Sequence, residues 1–386
     1  MSATLECLER LIGFNTVSHR SNLPLIEWVE SYLASHGVAS HRVPNAEGTK
    51  ANLIAVIGPV DKAGLVLSGH TDVVPVEGQD WSSDPFRMSV RDARAYGRGA
   101  CDMKGFVACA LAAVPALVRA PLARPAILAF SYDEELGCLG APDLVAALQD
   151  VVAPPAGCIV GEPTFMGVVR GHKTKRSLRA EFTGKALHSS LAPRGVNAVE
   201  YAAMLVMEVR RMATELAAGP CDDAYEIGHS TAHVGMMNGG TKLNIVPQSA
   251  TVEFEFRVLP HEDADALVRR IRAFARERIE PRMRDKDAAT GARIDLTASY
   301  PGLDTPEGAP IVALAEDWAD RSGTRKVAFG TEGGLFSDAG IPTVVIGPGS
   351  IEQAHKPDEF VDLAQLEACD RFLARTRDWL ASGTSP

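Results

Sequence analysis

At 386 residues the chain is longer than one ordinary core accommodates, so two domains, or one domain with a large insertion, are expected. Apolar residues make up 46% and charged residues 23%, the balance of a soluble globular protein. Acids outnumber bases 49 to 39, a net charge of −10, which excludes the basic face that nucleic-acid binding needs and leaves room for a cationic substrate or metal ions.

In chain order, Asn22 is placed to cap a helix over 23–36 that Gly37 stops. Short apolar strands follow at 52–58 and 64–68, then an Ala- and Val-rich helix over 104–118 that Pro115 should kink or end. Strands at 126–131 and 157–160 flank a helix at 142–149. Strands apolar on both faces and alternating with helices indicate a parallel sheet between helical layers.

The middle of the chain reads differently. The spacing gives an edge-like strand at 177–183, a long helix at 196–216, a cleanly alternating strand at 251–258, a helix at 262–280 and another strand at 293–299. Half-solvated strands with two helices indicate a small α/β layer structure. After Pro301 the first pattern returns, with helices at 310–321 and 363–380 and strands at 327–329 and 343–346. The expected organisation is a discontinuous larger domain, 1–174 and 291–386, with a smaller domain inserted over 175–290.

No apolar run approaches the ~20 residues of a membrane span, and the start, MSATLECLERLIGF, lacks the basic and apolar regions of a secretion signal. Seven cysteines, odd in number and without a C-x-x-C pair, read as reduced thiols. A cytoplasmic protein with no membrane partner is expected.

Four stretches share one plan, a buried strand running straight into polar residues: LVLSGHTD, AILAFSYDEE, GCIVGEP and TVVIGPGS, the last leading on to QAHKPDE. Ligand sites in open parallel sheets gather at the carboxyl ends of strands. His70, Asp72, Glu134, Glu135 and Glu162, with His355 a little beyond its strand, are therefore candidates to converge, and the Gly-rich YGRGACDMKG adds Asp102. The trio Asp133–Glu134–Glu135 has no Lys or Arg between Arg124 and Arg170 to neutralise it. Histidines with carboxylates and no cysteine suit Zn²⁺, Mn²⁺ or Co²⁺. Two ions sharing a carboxylate would use the whole inventory. Singly, each residue has a commoner use: Asp102 as a helix cap, the acidic trio as a solvated turn, Cys101 as packing.

GHTDVVP, YGRGACDMKG, SYDEELG, GEPT, NGGTKLNIVP and GPGSIEQAHKPDE together resemble the M20 co-catalytic zinc hydrolases, over nearly the whole chain and in family order. GPGSIEQAHKPDE and VVRGHK point to the branch that deacetylates N-acetyl-L-ornithine in arginine biosynthesis. Succinyl-diaminopimelate, other N-acyl amino acids and dipeptides are the substrates of its relatives. The resemblance implies two zinc ions per subunit, replaceable by cobalt or manganese. His70, Asp102 and Glu162 would hold one ion and Asp102, Glu135 and His355 the other. Asp72 would orient the His70 imidazole, and Glu134 would be the general base.

The resemblance further implies that the larger domain is the metal-binding catalytic one and the insertion a lid that dimerises. His188 in KALHSS would act near the scissile carbonyl, from the partner subunit of a homodimer, although Leu187 replaces the small residue common before it. Asn244 and Arg257 would hold a substrate carboxylate, the alternative for Arg257 being an ion pair with Glu253 or Glu255. In TEGGLF, Leu335 stands where desuccinylases tend to carry Arg, and Glu332 is expected either to meet a substrate ammonium or to tie down its own loop. A cis peptide between Asp102 and Met103 is also implied. A non-catalytic metal-binding protein is the alternative of a different class, against which the presence of Glu134 speaks.

Overall fold

The structure is a computed structural model that describes residues 2–383. It divides into two compact units, residues Met1–Gly171, Leu303–Lys326 and Thr331–Pro386 in the first, His172–Gly302 and Val327–Gly330 in the second. In chain order the first strands are β1 (Ser40–Pro44), β2 (Ala51–Ile57), β3 (Leu65–His70), β4 (Ser89–Arg91), β5 (Arg94–Tyr96), β6 (Ala126–Ser131), β7 (Gly157–Val160) and β8 (Val169–His172). Then come β9 (Thr174–Thr183), β10 (Thr231–Gly239), β11 (Ser249–Val258), β12 (Gly291–Tyr300), β13 (Leu303–Asp304), β14 (Arg325–Val327), β15 (Thr343–Val345) and β16 (Phe360–Asp362).

In the first unit β6, β3, β7 and β15 lie side by side and parallel, extended by antiparallel β2 and β1 beyond β6 and by antiparallel β8 beyond β15. The register pairs His70 with Ser131, Ser68 with Val160, and Val345 with Val160. The four parallel strands therefore end at one edge. Every residue of β3, β6 and β7 is buried, as the continuous apolar runs require when helices cover both faces.

Two local expectations are corrected. Asn22 does not cap the Leu23–Ser35 helix with its side chain; its amide pairs with the N–H and C=O of Ala51 and donates to Thr71, serving as an extra strand partner for β2. Nor does Pro115 end its helix, which runs Lys104–Arg119. Pro115 has no N–H for the Leu111 carbonyl one turn back, and the Tyr32 hydroxyl donates to that carbonyl instead, at 3.1 Å.

In the second unit an antiparallel sheet is ordered β10–β11–β9–β12. The Ala198–Ala217 and Ala264–Phe274 helices bury Leu205, Val209, Met212, Val268 and Ile271 against Leu178, Phe182, Val252, Phe254 and Phe256 of the sheet. β9, expected at an edge, lies inside, because β10 and β12 pair on either side of the β11–β9 core. β10 had no sequence signal: it is exposed along most of its length, so its side chains do not alternate in polarity. The helix expected over 262–280 passes into a wide π-turn at Ala275–Ile279 and resumes at Glu280–Arg284, where Pro281 has no N–H to continue the ladder. This unit extends past 175–290 at both ends because it contains the whole of β9 and β12.

The end of β7 is tightly built. A Cβ on Gly161 would meet the Phe106 ring at 1.9 Å. Gly161→Ala is expected to cost about 1–3 kcal/mol of stability through overpacking. Urea unfolding of the metal-free chain reads this directly, and an unchanged midpoint would show that the ring moves aside freely.

Candidate metal centre and active site

His70 closes β3, Glu162 follows β7, and the Asp133–Glu135 tip follows β6, so the aligned strand ends put them at one edge. His70 is fully buried; its Nε2 lies 3.0 Å from Asp102 Oδ1 and 3.5 Å from Glu162 Oε1. Asp102 Oδ2 lies 3.3 Å from His355 Nε2, which is 3.1 Å from Glu135 Oε2. Ligand atoms of His70, Asp102 and Glu162, and again of Asp102, Glu135 and His355, fall within 4.8 Å of one another, with Asp102 common to both groups. The peptide between Asp102 and Met103 is cis.

Asp72 does more than orient His70. The nearer partner of His70 Nδ1 is the Asp72 backbone carbonyl at 2.9 Å; the Asp72 carboxylate is 3.5 Å away. A proton on Nδ1 leaves the Nε2 lone pair aimed into the centre. The Asp72 carboxylate is taken up elsewhere: Oδ1 accepts the Glu134 N–H (3.1 Å), and Oδ2 accepts the Glu135 N–H (3.3 Å) and the Ser18 hydroxyl (2.7 Å). Those bonds shape the acidic tip. Its supposed lack of a local cation is corrected by Lys50, whose ammonium lies 2.5 Å from Asp133.

Asp102, Glu134, Glu135 and Glu162 thus share two imidazoles. Burial raises the Glu134 carboxyl to about 8, helped by repulsion from Glu135, Asp102 and Asp72 and opposed by His70. Burial and repulsion from Asp102 raise Glu135 to about 7 against its bond with His355, and Glu162 is pushed well up for the same two reasons. Burial alone would lift Asp102, but its contacts with His355 and His70 hold it well below the carboxylate range. Bonds to Asp102 and Glu135 carry His355 up to about 10.

A divalent cation fits this donor set. Glu135 Oε1 is a buried oxygen with no hydrogen-bond partner among the described residues, and the two groups offer imidazole nitrogen and carboxylate oxygen with no thiolate, the ligands of a borderline or hard ion. Glu134 belongs to neither group; its Oε1 accepts from the Cys138 thiol at 3.5 Å.

The sequence pattern of Peptidase family M20/M25/M40 matches residues 66–377, which takes in both ligand groups, Asp72 and Glu134. The chain belongs to that family. It is 32% identical to an acetylornithine deacetylase of Myxococcus xanthus over 97% of this chain and 98% of that one, and 32% identical to one of Pasteurella multocida over 92% and 91%. Among solved structures, an M20 family metallo-carboxypeptidase from Sulfolobus solfataricus superposes with a TM-score of 0.80 at 19% identity, covering 99% of this chain and 100% of that one. A dinuclear metal binding M20 peptidase of Bacillus subtilis gives 0.68 at 15%, covering 99% and 98%. These similarities establish the mixed α/β fold of the family.

The remaining expected residues are placed as follows. Glu332, 1% exposed, accepts hydroxyls of Ser68 at the end of β3 and Ser131 at the end of β6, one on each oxygen. Both oxygens are engaged inside the first unit, by hydroxyls of two strands and not by Glu332's own loop. In the second unit His188 is exposed, its Nδ1 accepts the Ser190 N–H at 3.2 Å, and its segment runs beside Asn244, whose carbonyl accepts the Ser189 N–H at 3.0 Å. Arg257 is held by Glu255 (3.0 Å) and the Tyr300 hydroxyl (2.6 Å), the ion-pair alternative. Sequence reasoning assigned nothing to Ser18, Lys50, Ser68, Ser131 or Glu359. Ser68, Ser131 and Glu359 lay within the quoted LVLSGHTD, AILAFSYDEE and QAHKPDE, while Ser18 and Lys50 lay in none of the quoted stretches.

Protons and a divalent ion compete for the same atoms here. Raising the pH strips protons from the raised ligands Glu135, Glu162 and His355, so metal affinity should rise from pH 6 to 9, about tenfold per unit for each proton displaced. Competition with a chromogenic chelator at several pH values measures it; a flat profile would contradict the protonation described.

Proposed function

We propose that this chain hydrolyses the amide of N-acetyl-L-ornithine to acetate and L-ornithine, a step of arginine biosynthesis, with two zinc ions, for which cobalt or manganese can substitute. The observation that carries the reading is Glu134: a buried carboxyl beside both ligand groups and a member of neither. A structural or non-catalytic metal site has no use for it. The full-length relatives named acetylornithine deacetylase supply the substrate.

When bound, the ion pair supplies Lewis acidity towards water and the acetyl carbonyl. His70, Asp102 and Glu162 would hold one ion, Asp102, Glu135 and His355 the other. Glu134 takes a proton from the attacking water as the C–O bond forms. It then delivers that proton to the departing ornithine nitrogen as the C–N bond breaks, which balances the reaction. Its raised carboxyl suits both halves of this transfer, because a base near neutral pKa accepts and releases a proton with little penalty. His188, whose Nδ1 is an acceptor, would carry its proton on Nε2 and donate a hydrogen bond from it to the carbonyl oxygen as charge develops there. Asn244 and Arg257 remain proposed contacts for the substrate carboxylate, Arg257 after exchanging its bond to Glu255.

A cytoplasmic homodimer is part of the proposal. Met236 and Met237 on the β10 edge and Met207 on the neighbouring helix are 53%, 41% and 62% exposed, an apolar surface that a second copy would cover.

Three experiments test the reading. The metal-reconstituted chain should hydrolyse N-acetylornithine in preference to N-acetylmethionine, N-succinyl-diaminopimelate and a dipeptide; preference for any of these would replace the substrate. Glu134→Gln should bind metal nearly normally while kcat falls by about 10²–10⁴. Loss of metal together with activity would move Glu134 into the ligand set. Mixing inactive His188→Ala and Glu134→Gln chains should restore activity, and no recovery in confirmed mixed dimers would remove donation across the interface.

A further inference from the structure

Glu359 is 1% exposed and applies its whole carboxylate to one loop. Oε1 accepts the N–H of Cys101 (2.9 Å) and of Asp102 (3.0 Å), and Oε2 accepts the N–H of Gly99 (2.9 Å) and Arg98 Nη1 (2.8 Å). Three backbone donors in four residues, ending at Asp102, make the carboxylate a template for the turn that presents Asp102.

Arg98, also 1% exposed, turns back towards the His355 segment. Its Nη1 donates to the Lys356 carbonyl (3.2 Å), its Nη2 donates to Gln79 Oε1, and its guanidinium lies 4.9 Å from the Trp81 ring centre. Gln79 Nε2 then donates to the His355 carbonyl at 2.9 Å. A closed circuit runs from the Asp102 loop through Glu359, Arg98 and Gln79 to His355.

The two ligand groups differ in their need for such a device. His70 ends a central strand and is fully buried, so packing fixes its ring. The His355 side chain is 54% exposed, on a loop residue with φ of +63°, and neither packing nor a strand holds it. Ligands held by partners outside the coordination sphere bind more tightly because less freedom is lost on binding.

We propose that Glu359, Arg98 and Gln79 are positioning residues that fix His355 relative to Asp102, and so set the ion affinity of the Asp102–Glu135–His355 group apart from that of the His70–Asp102–Glu162 group. The inference rests on the two-ion reading above. Zn²⁺ binding to the metal-stripped full-length chain, followed by chelator competition, tests it. Gln79→Ala removes the outermost link at a half-buried position; it should weaken one of the two binding constants about 10–100-fold and leave the other within about twofold. In the His355→Ala background the same change should have no further effect. Glu359→Gln, checked for folding by circular dichroism, should weaken both constants, since Asp102 serves both groups; if that variant does not fold, Gln79→Ala decides alone. Equal weakening of both constants by Gln79→Ala, or no weakening of either, overturns the positioning circuit. A parent chain that binds no Zn²⁺ overturns the two-ion reading instead.

Discussion

Four parallel strands that end in register force like charges together, and the rest of the first unit answers that constraint. His70, the Asp133–Glu135 tip and Glu162 cannot avoid one another once Ser68 pairs with Val160 and His70 with Ser131. Burying unpaired carboxylates costs several kcal/mol each, so such a cluster persists only with a compensating cation or proton. The raised Glu134, Glu135 and Glu162 and the raised His355 are the proton form of that compensation. Divalent ions are the other form, and the one that on the proposed reading would leave Glu134 free to move protons.

Four further acids near the site each have partners of their own. Glu359 faces Arg98, Asp133 faces Lys50, and Glu332 accepts two serine hydroxyls under burial that raises its carboxyl. Asp72 accepts two backbone amides and the Ser18 hydroxyl. Unneutralised charge is therefore concentrated on the ligand atoms. The same acids also hold backbone in place: Asp72 holds the Glu134–Glu135 tip, Glu359 the Asp102 loop. Electrostatic isolation and positioning are achieved by the same bonds.

Legibility in the sequence followed the range of the interaction. Strand ends were readable because each strand is a continuous apolar run broken by a polar residue, which is a local signal; β6 and β7 sit on the expected residues 126–131 and 157–160. Lys50 was not readable as the partner of Asp133, since 83 residues separate them and a lone lysine after a turn looks like any surface lysine. Pro115 misled for a related reason: the Tyr32 hydroxyl that replaces its missing bond comes from another helix. β10 was missed because an exposed edge strand needs no alternation. Glu332 and Arg257 were each left with two readings, as neither charge states its partner until Ser68, Ser131, Glu255 and Tyr300 are in place.

The buried cations follow the same logic as the buried acids. Lys104 is fully buried directly after the Asp102 loop, and burial lowers its ammonium to about 7 against the pull of Glu359 and Asp72. It donates to the carbonyls of Leu11, in the last turn of the Ala3–Ile12 helix, and of Phe14, just beyond that helix. The Leu11 carbonyl belongs to the negative end of the helix dipole, so the lysine finds partial charge there instead of a carboxylate. A full salt bridge to Glu359 or Asp72 would draw those acids away from the amides they hold. Sending Lys104 to a helix end, and leaving Glu359 to Arg98 and the loop, keeps each carboxylate on the backbone that presents a ligand.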